Sequence, residues 1–567
     1  MKLGLKSSIF PRSKGLSLFL WLILGSGLLP AQTDTNAPAS IPDPTLLETP
    51  GATAHAAPAF VPPAAPIALP ADAAAPAPPA HSDSVPPTDK VSFQAESIVA
   101  RQNADRFEST FFSLLTLSAL AGFLLYQCGQ TRAKNCAHTS VLLLFGVTFA
   151  LVGYWAGGFA VQMGGVGDSH AALPAPLPAA ESGALDHELG LMIFGHHWGF
   201  MGSAGFFLIT DDATRDGVAA LFLGQAVLLA MAIAASLGAA LERGRLLALA
   251  AIAFLAGAVI FPLVANWVWG GGWLAELGRE HGWGHGVVDV AGAGVIHESA
   301  GALALAIALA LGPRHNRFRR NYLTGIPGHN VPFTILGTLV LLIAFASSVS
   351  IGSGGASPGE TAGSRVGLAA VNVLLGALGG MIVSVFFGAY RRQRGLPVRF
   401  CRGLLGGAIS ICGGAMFFDS WAAFLIGAFA GFLVAAIVAG LEALGVDDPA
   451  GVTAIHGACG GWGLIAVGIF ANGSASLGLN GVETPMRGLF FGGGWHQFAP
   501  QFLGCIMIFG AVFGLGYLAI HLVKKIVGMR VKLADELKGL DWPQVGALGY
   551  QPDVDSSDDE DRWYRLE

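Results

Sequence analysis

Two histidines stand at equivalent places in a unit that the chain carries twice, as Asp289-Val-Ala-Gly-Ala-Gly-Val-Ile-His297-Glu-Ser-Ala-Gly301 and as Asp448-Pro-Ala-Gly-Val-Thr-Ala-Ile-His456-Gly-Ala-Cys-Gly460. Imidazole changes charge near neutral pH and, when neutral, offers one donor and one acceptor. Such a pair can line a narrow path for a small polar solute or a proton. The bland alternative is two buried rings that bond only each other. Both histidines fall inside apolar runs, where an ionisable group is costly and faces protein or a water-filled path. Each Asp stands where a helix starts, and a carboxylate there accepts free backbone N–H groups and interacts well with the helix dipole. For Asp289 the functional alternative is support of a cation site on the outer face; for Asp448 it is gating.

The elements that must hold these residues are membrane helices. The chain has 567 residues, 53% hydrophobic and 12% charged, with 80 glycines, and its mean hydropathy is +0.60. That composition describes an all-α polytopic membrane protein, not a set of soluble domains. The net charge of -6 is small, and basic residues sit in short clusters between apolar runs, which excludes a nucleic-acid-binding face. The cysteines Cys128, Cys136, Cys401, Cys412, Cys459 and Cys505 are scattered without a Cys-x-x-Cys spacing, so neither a disulfide framework nor a metal site is expected. No cofactor is implied.

Residues 1–31 carry Lys2, Lys6, Arg12 and Lys14 before an apolar run, a signal-peptide pattern with an uncleaved anchor as the alternative. Residues 32–92 form a Pro/Ala-rich, disordered linker. The membrane domain, 93–523, has eleven expected spans: 111–127, 139–163, 218–240, 246–265, 287–311, 331–352, 366–390, 403–418, 421–441, 452–472 and 501–522. The eighth is short and rich in Gly. Residues 524–567 form a tail that ends in an acidic run.

Basic clusters at Arg132 and Lys134, Arg243 and Arg245, Arg314 to Arg320, Arg391 to Arg402 and Lys524 to Lys532 fall on one side of these spans. That side is cytoplasmic by the positive-inside rule, which puts the N-terminus outside and the tail inside. The expected location is the inner cell membrane, with the linker on the outer side. The fifth and tenth spans then run in opposite directions. Each histidine lies eight residues after its Asp, roughly 12 Å along a helix and near the midplane. Spans one to five and six to ten would form an inverted repeat with His297 and His456 meeting at its centre.

From residue 100 to about 550 the sequence resembles the ammonium transporter family, the Amt, Mep and Rh group. The resemblance rests on Ala121-Gly122 with Arg132, Lys134 and Asn135; Gly238-Ala-Ala-Leu-Glu242-Arg243; Trp267-Val-Trp269-Gly-Gly-Gly272; the two Asp-to-His units; and Gly528-Met-Arg-Val531 with Gly539-Leu-Asp541 in the tail. It implies a homotrimer of eleven-helix subunits, each conducting ammonium or ammonia through a pore lined by twin histidines. It also implies an outer vestibule, with Trp269 attracting ammonium by a cation–π contact and Asp289 nearby. A PII-type cytosolic signal protein is an implied partner of the tail. Glu242, Arg243, Asp448, Gly528 and Asp541 take structural or gating roles.

The chain departs from the family at the pore entrance. Where the family has two stacked phenylalanines, counting along the sequence puts Leu228 and Ser348, and the vestibule serine falls near Gly352, with Ser350 or Ser353 as substitutes. A sensor that binds ammonium, conducts little and signals through its tail is therefore the alternative function. An enzyme is not expected, because no nucleophile, phosphate loop or complete ligand set is present. Glu298 follows the first histidine by one residue, about 100° around the helix, and should meet a polar partner on a neighbouring helix. The loop holding His187, His196, His197 and Trp198 should form an outer cap.

Overall fold

The computed structural model describes residues 104, 106–166, 185–318, 326–353, 363–390, 395–474, 476 and 478–551. The expected signal peptide, the Pro/Ala-rich linker and the acidic end of the tail lie outside the described residues.

Ten helices among the described residues are long and apolar enough to cross a membrane. They are α1 (Arg106–Gln130), α2 (Ala133–Met163), α3 (Arg215–Ala240), α4 (Leu246–His281), α5 (Ala293–Leu311), α6 (Val331–Ile351), α7 (Val366–Tyr390), α9 (Ser420–Ala443), α10 (Thr453–Phe470) and α11 (Trp495–Val527). Between α7 and α9 lies α8 (Leu396–Ile409), 14 residues long. The eighth expected span, 403–418, thus starts earlier as a helix and continues as turns through Phe417. Glycines at 406, 407, 413 and 414 weaken the helix over that stretch.

The loop between α2 and α3 corrects an all-helical expectation. It forms an antiparallel hairpin of β1 (Glu188–Ile193) and β2 (His196–Gly202). Trp198 on β2 packs at 5.6 Å on Trp273 and 5.2 Å on His281, both in the C-terminal part of α4. Strands this short, with a period of two, leave no long apolar run in the sequence.

Burial separates inner helices from outer ones. The apolar windows of α5, α3 and α10 are 83%, 72% and 72% buried, against 39% for α7 and 33% for α11. Small residues allow close crossings. A Cβ at Gly301 on α5 would fall on the backbone of Gly457 on α10, and one at Gly337 on α6 would fall on that of Tyr126 on α1.

Candidate functional site

Both Asp-to-His units enter their helices by the same local route. Gly292 and Gly451, the fourth residue of each unit, have φ of 81° and 73°, a left-handed turn that an L side chain resists. Each then starts a π-helical turn, Ala293–Glu298 in one and Thr453–Ala458 in the other. Such turns are rare and frequent at functional sites. Nothing in the periodicity of the sequence distinguishes them from α-helix.

The carboxylates sit at the head of these turns. Asp289 accepts the N–H groups of Ala293, Gly294 and Val295 at 2.8, 2.9 and 2.8 Å. Asp448 accepts those of Gly451 and Thr453 at 3.1 and 2.7 Å. Both make the backbone bonds of a capping carboxylate.

The structure brings His297 and His456 into direct contact. Their Nδ1 atoms are 3.0 Å apart, and both rings are buried. One Nδ1 must therefore donate and the other accept, which leaves one Nε2 as an acceptor and the other as a donor. Exchange of the shared proton with a change of tautomer reverses the two ends. The Nε2 of His297 has no partner among the described residues. Phe345 of α6 stands edge-on to His297 at 5.0 Å and to His456 at 6.2 Å, while Phe123 of α1 lies 5.7 Å from His456. Sequence reasoning missed both phenylalanines, because an aromatic on an apolar helix carries no sign of what it will face.

Glu298 points away from this pair. It is buried, and its Oε1 accepts from the Cys505 thiol of α11 at 3.0 Å. It fills the space beside Gly461. The polar partner on a neighbouring helix is thus a cysteine, 207 residues away.

The other expected pore and vestibule residues bond elsewhere among the described residues, not to the histidine rings. Trp269 is buried, and its indole N–H donates to the carbonyl of Asp289 at 2.7 Å. Leu228 is buried on α3. One turn before it, Gly224 faces Ser113 of α1 and Ile351 of α6. Ser348 is buried and donates to the Phe345 carbonyl at 2.8 Å, and Ser350 donates to that of Ala346 at 3.3 Å. Ser353 ends the helix that begins at Val331; its side chain is outside the described residues.

Glu242 and Arg243 belong to a buried charge network that ties four loops together. Glu242, at φ 66°, pairs with Arg132 at 2.8 Å and Arg314 at 3.1 Å. Arg314 grips Asp447 through Nε and Nη2 at 2.8 and 3.1 Å. Arg243 donates to the carbonyls of Asp447 and Gly312 at 2.7 and 2.8 Å. Burial pushes the Asp447 carboxyl up, but Arg314 and Arg243 outweigh it and hold the group down at about 2. Burial likewise raises Glu242, and Arg314 and Arg132 more than reverse it. In the sequence Arg314 is one member of a basic cluster between two apolar runs. Its partner Asp447 lies 133 residues away, so no local pattern could pair them.

The tail closes on the same loops. Gly528, at φ 70°, turns the chain after α11. Val531 N–H then bonds the Arg243 carbonyl at 3.1 Å. Asp541 accepts the N–H groups of His138 and Gly549 at 2.9 and 3.1 Å.

Residues 188–550 match the family model described as Ammonium Transporter Family. Ammonium transporter Amt2 of Archaeoglobus fulgidus is 31% identical over 444 residues, covering 77% of this chain and 86% of that protein. Ammonium transporter 1 member 3 of Solanum lycopersicum is 28% identical over 486 residues, covering 80% and 94%. Among solved structures, one named Sensor Amt Protein superposes with a TM-score of 0.65 at 24% identity, over 79% of this chain and 99% of the other. The Mep2 structure from Candida albicans gives 0.60 at 22% identity, over 76% and 86%. The two structures share this fold.

Proposed function

The chain belongs to the ammonium transporter family, and from that premise we propose that it carries ammonium across a membrane as ammonia, along a path lined by His297 and His456. The observation that carries this reading is the buried Nδ1–Nδ1 contact at 3.0 Å between rings on two of the most buried helices. Ammonium that leaves water for a narrow apolar path loses its hydration, which disfavours the charged form. Neutral ammonia is both donor and acceptor, so it can bond the two unlike ends of the imidazole pair.

In this proposal α8 is an eleventh, shorter span, and α1–α5 and α6–α10 form an inverted repeat with the N-terminus outside and the tail inside. Trp269 and Asp289 stand beneath an outer vestibule, with Leu228 and Ser348 in place of stacked gate rings and Ser350 or Ser353 supplying a hydroxyl. Glu242, Arg243, Asp448, Gly528 and Asp541 hold the inner face. The subunits assemble as trimers in the inner membrane, and a PII-type protein is the candidate cytosolic partner.

Reconstitution in liposomes tests the reading, with ammonium-driven current and internal pH recorded together. The parent should alter internal pH, and His297→Ala should lose that response. A silent parent that still binds ammonium would replace the transporter with the sensor. A pH change without current would indicate flux of neutral ammonia.

A further inference from the structure

Beyond the histidine pair, on the side where α10 begins, three segments meet around one amide. Phe123 of α1 lies against His456, and Gln127 stands one helical turn further along α1. Gln127 is 1% exposed. Its Nε2 donates to the Ala234 carbonyl of α3 at 2.7 Å. A carbonyl can only accept, so the amide nitrogen must face Ala234, and the orientation of the group is forced. The amide oxygen faces the other way, and no hydrogen bond to it is present among the described residues.

Gly238 stands one turn beyond Ala234 on α3. A Cβ there would lie 2.9 Å from the side chains of both Ala450 and Val452 and 3.1 Å from the Gln127 nitrogen. Val452 comes four residues before His456. Thus α1, α3 and the segment leading into α10 close on one another just past the second histidine, around a bare glycine, two small apolar side chains and a single amide.

We propose that Gln127 is a substrate-binding residue at this inner constriction, its Oε1 accepting an N–H from ammonia or ammonium that has left His456, while Gly238 keeps the passage open. The inference rests on the transport reading above. It assigns the next polar contact after the histidines to a residue that lies on neither repeated unit. If Gln127 instead only ties α1 to α3, its amide oxygen faces no passage.

Three variants in the full-length protein, reconstituted in liposomes, separate these roles. Gln127→Met keeps a long side chain without the acceptor and should lower ammonium flux roughly 2- to 10-fold, the worth of one lost hydrogen bond, with a parent-like thermal midpoint. Gly238→Ala should block flux. Gln127→Cys, compared with the parent, should become inhibited by a small cationic methanethiosulfonate added from the side of the tail, with ammonium slowing the reaction. Parent-like flux in both Gln127→Met and Gly238→Ala would overturn the proposal. So would a Gln127→Cys protein that reacts no faster than the parent from either side. If the parent itself conducts nothing, the transport reading fails, and the cysteine reaction alone decides whether Gln127 faces an open passage.

Discussion

Asp289 and Asp448 each receive backbone N–H groups at the head of a π-helical turn that contains a histidine, yet the first takes three such bonds and the second two. Their surroundings differ more. Asp289 is 3% exposed, with its carbonyl taken by Trp269. The extended segment before it is stitched to α11, where Gln501 bonds both the N–H and the carbonyl of Val288 at 2.7 and 2.8 Å. The N–H groups of Val290 and Ala291 reach the carbonyls of Gly413 and Cys412, in the turns after α8. Asp448 is half-buried and follows Asp447, the hub of the charge network. One unit is fixed by neutral hydrogen bonds between irregular segments, the other by buried ions. Irregular backbone at membrane depth persists only when protein satisfies it, and the chain has two ways of doing so.

If ions hold the second unit, Arg314→Ala should be the most damaging change. It leaves Glu242 and Asp447 buried without their shared cation, a loss of about 3–5 kcal/mol, visible as a large drop in the thermal midpoint of the detergent-solubilised protein. A midpoint near that of the parent would show that the network does not anchor this end. Asp289→Ala comes next, at about 3 kcal/mol, because three buried N–H groups lose their acceptor. Its effect should exceed that of Asp448→Ala, and equal effects would erase the contrast.

Acid should weaken the ionic end selectively. Asp447 and Glu242 titrate below their ordinary values of 3.8 and 4.5 in the folded protein. Carboxyls so depressed contribute fully above those ordinary values and lose the contribution as pH falls toward the folded ones. The Asp447 share is about 2 kcal/mol. Thermal midpoints taken from pH 7 downward should therefore hold until about pH 4–5 and then decline, with a shallower decline in Arg314→Ala. The smallest expected effect is that of Asp448→Ala, about 1 kcal/mol for a partly exposed cap. A loss as large as that of Asp289→Ala would mean that both ends depend equally on their carboxylates.

Much of the fold was legible in the sequence because a membrane helix needs about 20 apolar residues, and most of the expected segments reach that length. The short α8 was readable as a Gly-rich irregularity but not as a 14-residue helix ending in turns. The hairpin was too short to register. At the site, repetition singles out His297 and His456, whereas the left-handed turns at Gly292 and Gly451 are seen only in the structure.

By itself the sequence determined where apolar runs lie, which residues recur at equal spacing and which glycines permit a turn, since these depend on neighbours along the chain. Only the tertiary structure decided that the two imidazoles meet through Nδ1, that Phe345 covers both, that Glu298 finds Cys505 and that Arg314 finds Asp447. Each of these is a contact between residues dozens to hundreds of positions apart. Helix crossings at small residues such as Gly301 and Gly457 set those distances, and no local preference of the chain encodes them.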